Sequence, residues 1–443
     1  MKTIFAPATA PGRAGIAMVR VSGPESLSSL RALTGAALPP PRRAVLRALM
    51  HPGTGVVIDR AVVIRFAAPA SFTGEDVIEY HLHGGPAVVR MMMDSLAGQS
   101  DHCLAQPGEF TRRAFENGKM DLTGAEAIAD LINAETELQH QQALSQMEGS
   151  LTVLYEGWRH DLSRALAHLE ADIDFPDEDL PEGVAVRIVP VLEALRGKIA
   201  AHLDDNRRGE RLRDGIRIAV VGAPNAGKSS LVNALARRDV AIVSDQAGTT
   251  RDVIEVHLDL GGYPVILADT AGLRPGQLQP DGQGAIESEG IRRALDRARQ
   301  ADLTLLLFDS NAAPDAATLA LRDNRKSLVV LNKSDLGRGH DAPPEALEIS
   351  VKTGHGIDKL LQALLHKIED IIGNRSAPSL TRQRHREALH DCLSSLDRAL
   401  SAGESELMAE DARLAMRALG RITGRVDVED LLDIIFRDFC IGK

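Results

Sequence analysis

Hydrophobic positions along the chain fall into three textures. Residues 1 to about 118 carry short β-type runs, among them IAMVRVSG (16–23) and RAVVIRF (60–66). There DVIEYHLHGG (76–85) reads as a strand entering a Gly-Gly turn and a Met-rich apolar helix. From about 119 the period turns helical. AEAIADLINAETELQHQQALSQM spaces its apolar residues at i, i+3 and i+4, and the pattern holds to Asp174 before Pro176 stops it. ERLRDG (210–215) reads as a polar linker punctuated by Gly215. Residues 216–373 then alternate strand and helix. Their strands IRIAVVG, PVILADT, LTLLLFD, SLVVLN and LEIS are mostly the near-continuous apolar runs of a buried parallel sheet. Helical texture returns after Gly373, with LMAEDARLAMRALGRI and EDLLDIIFRDF as amphipathic segments.

This order predicts an α/β domain inserted into a helical domain built from both flanks, since the termini of a domain often lie close together. Two separate helical domains are the alternative. The expected boundaries are 1–118 for an α+β domain, 119–214 and 374–443 for the helical parts, and 215–373 for the α/β insert.

Composition narrows the class. The 443 residues suffice for two or three cores, and 44% hydrophobic with 26% charged residues is ordinary for a soluble globular protein. No apolar run reaches the ~18–20 residues of a membrane span. The start, MKTIFAPATAPGR, has no signal-peptide core, so a cytoplasmic location without a membrane is expected. Cys103, Cys392 and Cys440 are too few and too scattered for a disulfide framework or zinc site. The net charge of -11 argues against a positive coat for non-specific nucleic-acid binding. Local clusters remain at Arg207, Arg208, Arg211 and Arg213, and at Arg382, Arg384 and Arg386. They read either as RNA contacts or as a solvated helix face or linker.

The chemistry concentrates in the α/β texture. GAPNAGKSS places Gly222, Asn225, Ala226, Gly227, Lys228, Ser229 and Ser230 between a strand and a helix, the required context of a P-loop. Its glycines let backbone N–H groups wrap phosphate, Lys228 offers a charge to the β- and γ-phosphates, and the Ser229 hydroxyl can ligate Mg²⁺. Asp269, Thr270, Ala271 and Gly272 end the next strand as DTAG, a carboxylate for Mg²⁺ and an N–H for the γ-phosphate. Asn332, Lys333 and Asp335 of NKSD close another strand, and Ser350 and Lys352 of SVK follow a third. Asp335 can accept from the ring N–H and amino group of guanine; adenine would leave it unpaired, a mismatch worth ~10⁴ in discrimination. Between these motifs lies SDQAGTTRD (244–252), where a switch loop belongs, with Thr250 as the hydroxyl that closes on Mg²⁺. Leu273 follows DTAG where Ras-like proteins carry a water-orienting glutamine, so another group must position the water.

GAPNAGKSS, AGTTRD and DTAG-Leu occur together with PGRAGIAMVRVSG, SFTGEDVIEYHLHGG, PGEFTRRAFENGKMDLTGAEAIADLI, DFPDED and the terminal FCIGK. Along essentially its whole length the chain thus resembles the MnmE/TrmE family of bacterial tRNA-modification GTPases. The resemblance implies an N-terminal α+β folate-binding domain that dimerises, a helical domain, and an inserted Ras-like P-loop GTPase domain with a mostly parallel sheet. It implies a homodimer that works with the FAD-carrying partner MnmG. Together they place an aminomethyl or carboxymethylaminomethyl group on carbon 5 of the tRNA wobble uridine. The cofactors it implies are Mg²⁺, K⁺ and 5-formyltetrahydrofolate or another tetrahydrofolate derivative, with GTP as the nucleotide.

Residue by residue, the resemblance puts potassium ligands at Asn225, Ser244, Gln246 and Thr249, and the catalytic glutamate at Glu287, with Glu289 as the fallback after the long loop RPGQLQPDGQGA. Folate contacts fall on Arg20, Glu79, Lys119 and Lys443. Read without the resemblance, Glu79 is an edge-strand carboxylate sharing one strand face with His81 and His83. Cys440 stays open between nucleophile, ligand and packed thiol. Two alternatives stand beside this reading: a ribosome-assembly GTPase switch, and an N-terminal domain that dimerises without binding folate.

Overall fold

The computed structural model describes residues 2–174, 184–238, 240–242, 255–269, 296–323, 326–337, 343–373, 378–426, 429–437 and 439–442. They form two compact units. One gathers residues 1–129, 147–163 and 413–443; the other holds 130–146 and 164–412.

In the first unit, β1 (Thr3–Pro7), β2 (Ala14–Ser22), β3 (Val45–Met50), β4 (Val57–Phe66), β5 (Val77–Gly84) and β6 (His102–Leu104) build a sheet ordered β3-β4-β5-β2-β1-β6. All pairs are antiparallel except β1 with β6. Alternation along β5 sends Ile78, Tyr80 and Leu82 into one core and Glu79, His81 and His83 to the other face. Leu30 and Leu33 of α1 (Ser26–Thr34) and Met92 and Leu96 of α2 (Pro86–Ala97) close that core. On the opposite face Ile4, Ala6 and Ala105 pack with Phe110 of α3 (Glu109–Glu116) and with Phe72. Leu122 and Ala125 of α4 (Leu122–Asn133) join Leu432, Phe436 and Phe439 in a further cluster, so the C-terminal segment is anchored beside the start of the helical sequence.

The second unit holds β7 (Ile216–Val221), β8 (Glu255–Leu260), β9 (Tyr263–Asp269), β10 (Leu303–Asp309), β11 (Ser327–Asn332) and β12 (Leu347–Glu348), ordered β12-β11-β10-β7-β9-β8. Every pairing is parallel except the β8–β9 hairpin. β10, LTLLLFD, is buried from Leu303 to Phe308, Thr304 being its one polar residue there, because both of its faces are covered. The five strands read from pattern are all present; β8 is additional, its EVHLDL alternation hidden beside a polar stretch.

The linker reading of ERLRDG is corrected. Arg208–Asp214 is a helix, α8, with Gly209 and Leu212 buried. The solvated-face reading of the arginine clusters is corrected for Arg386, which is buried, and other members are held in ion pairs. Arg386, buried in α11 (Gln383–Ser401), donates to Asp205, Glu210 and the Leu203 carbonyl. Arg211 reaches Asp302, and Arg382 reaches Asp130. The same network governs His202, in α7 (Val184–Leu203). Burial, opposed by Asp205 and reinforced by Arg208, Arg386 and His385, pushes its imidazole down to about 4 from 6.5. The unfolded chain takes up this proton below pH 6.5 while the folded chain does so only near 4. Stability is therefore complete above pH 6.5 and is lost across that window, by up to about 3 kcal/mol. His202→Gln is expected to flatten the fall of melting temperature between pH 6.5 and 4; an unchanged slope would assign it elsewhere.

Candidate functional site

The C-terminal ends of the parallel strands converge on one edge of the second sheet, where open α/β sheets bind ligands. β7 ends at Val221 and α9 (Lys228–Ala236) begins at Lys228, so residues 222–227 form the loop between. Two close approaches fix its path. A Cβ on Gly222 would lie 2.2 Å from the Leu307 carbonyl oxygen, and one on Gly227, at φ +100°, would lie 2.3 Å from Asn332 Nδ2. Only glycine fits either place. Lys228 Nζ donates to the Gly222 and Ala223 carbonyls at 2.8 and 2.9 Å, which sets its ammonium over the loop. Ser229 and Ser230 are exposed in the first turn of α9, and Asn225 is exposed at φ 63°.

Asn332 turns out to be a clasp. Its buried amide donates to the Ala226 carbonyl at 2.9 Å and accepts from the Val351 N–H at 3.2 Å, tying the phosphate loop to the SVK segment. Asn332→Ala leaves both groups without that partner, about 2–6 kcal/mol in all, and the part of that loss that loosens the nucleotide loops is expected to lower GTP affinity measured by calorimetry about 10–100-fold. Unchanged affinity would show that the loops hold their places unaided.

Asp335 accepts from the buried Ser350 hydroxyl at 2.6 Å through Oδ1, while its side chain stays at the exposed edge. Lys352 is exposed two residues beyond Ser350. Lys333, at φ 64°, donates through Nζ to Asp309 Oδ2 at 2.6 Å. Burial works against the Asp309 charge, yet the hydrogen bonds from Lys333 and the Asn311 N–H hold the carboxyl below its ordinary value. Asp309 was not singled out in the sequence; its position at the end of β10, beside Asn332 in register, was the available signal. Asp269 closes β9 beside Val220. Ser244, Gln246, Thr249, Thr250, Thr270, Ala271, Gly272, Glu287, Glu289 and Lys443 lie outside the described residues.

A second polar site occupies the first unit. β5 lies between β4 and β2, so Glu79 is an interior-strand residue, which corrects the edge-strand reading. It stands in direct register with Arg20, whose Nε and Nη2 donate to Glu79 Oε1 at 3.1 and 2.9 Å. The guanidinium lies 5.6 Å from the Phe72 ring centre and 5.7 Å from that of Phe110. His81 Nε2 sits 3.6 Å from Glu79 Oε2, whereas His83 pairs with Asp59. Lys119 donates to the Pro69 carbonyl at 3.0 Å and packs against Gly74, on the loop that carries Phe72. Cys440 is exposed, and its carbonyl accepts from the Gly108 N–H at 3.5 Å, ahead of α3. Phe72 and Phe110 were missed as site residues, although each sits in a block already notable for its sequence, SFTGED and PGEF.

A glycine-tight phosphate loop, NKSD two strands away in the same sheet, and SVK, the three joined through Asn332, define a P-loop GTPase. Family models extend this to the whole chain: the MnmE helical domain matches residues 122–440, and the GTP-binding protein TrmE N-terminus matches residues 3–119. The tRNA modification GTPase MnmE of Parvibaculum lavamentivorans is 57% identical, with all of both chains covered; that of Paramagnetospirillum magneticum is 56% identical, again over all of both. A human mitochondrial relative, the 5-taurinomethyluridine tRNA synthase subunit GTPB3, is 48% identical, covering 100% of this chain and 93% of its own. The chain belongs to the MnmE/TrmE family.

Proposed function

We propose that this chain is a potassium-stimulated GTPase that, as a homodimer and with the FAD protein MnmG, adds an aminomethyl or carboxymethylaminomethyl group to carbon 5 of the tRNA wobble uridine in the cytoplasm. The observation that carries the reading is the guanine-nucleotide edge in a family member whose relatives are named for tRNA modification. Among the described residues no helix is long and apolar enough to cross a membrane. The proposed partition is an N-terminal domain to residue 118, a helical domain from 119–214 and 374–443, and the GTPase domain between.

The potassium, water-orienting and folate roles are those the family resemblance implies, and the chemistry of the groups suits them. Backbone N–H groups of 222–227 and Lys228 bind the phosphates, while Asp335 and the Ser350–Lys352 segment read the base. The oxygen donors Ser229, Asp269 and Thr250 suit a Mg²⁺ ion. The exposed Asn225 on the phosphate loop, with Ser244, Gln246 and Thr249, suits K⁺. Both cations supply positive charge at the phosphates when bound. Glu287 orients the attacking water. In the first unit, the half-buried Arg20–Glu79 pair beside the Phe72 and Phe110 rings suits a flat heterocycle with polar edges, as a tetrahydrofolate derivative has. Lys119 and Lys443 are its further contacts, and the exposed Cys440 is the candidate functional thiol.

Mass spectrometry of tRNA from a deletion strain tests the function: wobble uridines are expected to lose the carbon-5 group and regain it on complementation. Normal wobble uridines with a stalled ribosomal subunit precursor would instead support a ribosome-assembly switch. Binding of 5-formyltetrahydrofolate, with Arg20→Ala and Glu79→Ala as controls, tests the cofactor; no binding at millimolar ligand would remove it.

A further inference from the structure

The residues before and after the proposed switch segment meet on one strand. Ile242 donates its N–H to the His257 carbonyl at 2.9 Å, and Asp259 donates to the Val240 carbonyl at 2.7 Å. The chain therefore leaves along 240–242 and returns into β8 at Glu255, antiparallel to its own departure. β8 is the outermost strand of its sheet and pairs with β9 on its inner side.

His257 joins β8 to a segment far away in sequence. While its backbone carbonyl holds Ile242, its ring Nδ1 lies 2.9 Å from Glu135 Oε2. Glu135 sits in the corner between α4 and α5 (Glu137–Met147). Leu138 of the same corner covers the β8–β9 turn: a Cβ on Gly262 would lie 3.1 Å from Leu138 Cγ. Gln139 stiffens the corner by accepting from the Glu135 and Thr136 N–H groups, and it donates to the Arg213 carbonyl just ahead of β7. One corner outside the α/β sheet thus touches both the strand beside the switch segment and the approach to the strand that ends in the phosphate loop.

We infer that Glu135 and Leu138 are positioning residues for GTP hydrolysis, holding β8 and the residues flanking the switch segment in the register the reaction needs. This rests on the reading of 244–252 as the nucleotide switch. Both partners of the Glu135–His257 pair are about one-third exposed, and such a pair contributes little to stability. Misplacing a reacting group by about 1 Å, in contrast, can cost up to ~100-fold in rate. Loss of the pair should appear in turnover and leave the melting temperature nearly unchanged.

The test uses the full-length chain with Glu135→Gln, His257→Gln, the double variant and Leu138→Ala. Single-turnover GTP hydrolysis, GDP affinity and the His257 imidazole NMR signals in GDP- and GTP-analogue-bound protein are measured. Hydrolysis is expected to slow about 5–20-fold with GDP affinity within about twofold, and the double variant to be no slower than its singles. The His257 signals should differ between nucleotide states in the wild type and coincide in Glu135→Gln. Wild-type rates in every variant, with His257 signals indifferent to nucleotide, would overturn the inference. Thr250→Ala separates the two readings. If it also hydrolyses at the wild-type rate, the switch assignment falls; if it is slow while the corner variants are not, only the positioning role falls.

Discussion

Asp335→Asn is expected to weaken GTP binding about 10³-fold and to make xanthosine triphosphate the better ligand. Guanine presents two donors on one edge, the ring N–H and the exocyclic amino group. A carboxylate accepts both, and each hydrogen bond to a charged group contributes about 1.5–3 kcal/mol. An amide keeps one acceptor and turns an NH₂ toward a donor, so one bond is replaced by a clash of hydrogens. Xanthine carries a carbonyl in place of that amino group and would meet the amide NH₂ correctly. The substitution should leave the loop in place, because the Ser350 hydroxyl that donates to Asp335 Oδ1 can donate equally to the asparagine oxygen. Parallel titrations of labelled GTP and xanthosine triphosphate decide the matter. If the variant binds GTP within about tenfold of the wild type, Asp335 does not read the base.

The parts of this site that were legible in the sequence are those written as local motifs. Gly222 and Gly227 show in the spacing of the phosphate loop, although the groups that exclude a Cβ there, the Leu307 carbonyl and the Asn332 amide, come from two other strands, and NKSD and SVK show by their places at strand ends. The clasp at Asn332 was not legible, because Ala226 and Val351 reach it from two other segments. Distance in sequence also explains the arginines. Arg208–Asp214 looks like a solvated linker because five of its seven residues are charged, yet Arg211 finds Asp302, and Glu210 is taken by Arg386 from α11. In the first unit, alternation placed Glu79, His81 and His83 on one face correctly. That Glu79 would meet Arg20 depended on the register of β2 against β5, which alternation leaves undetermined.

On the proposed reading, turnover should respond most to the group that replaces the glutamine missing after DTAG and to the cation beside the phosphates. With Leu273 after DTAG, no side chain at that position can orient water. Glu287→Ala is therefore expected to slow hydrolysis about 10²–10³-fold at unchanged GDP affinity, with Glu289→Ala near wild type. Exchanging K⁺ for Na⁺ should cost a comparable factor on the proposed reading, in which K⁺ beside the phosphates supplies the charge that an arginine finger, worth ~10³–10⁵, supplies in other GTPases. Asn225→Ala should erase the difference between the two ions, because it removes an exposed oxygen from the phosphate loop without disturbing the Asn332 clasp. Rates for wild type and variants in each salt, under single turnover, supply the check. Equal wild-type rates in K⁺ and Na⁺ would sink the cation's role, and a Glu289 effect matching that of Glu287 would reassign the water. If the glutamate orients water while the cation neutralises charge, the two act on different terms of one barrier. Glu287→Ala in Na⁺ should then show the product of the two separate losses. A combined loss no larger than either alone would place both on a single shared earlier step.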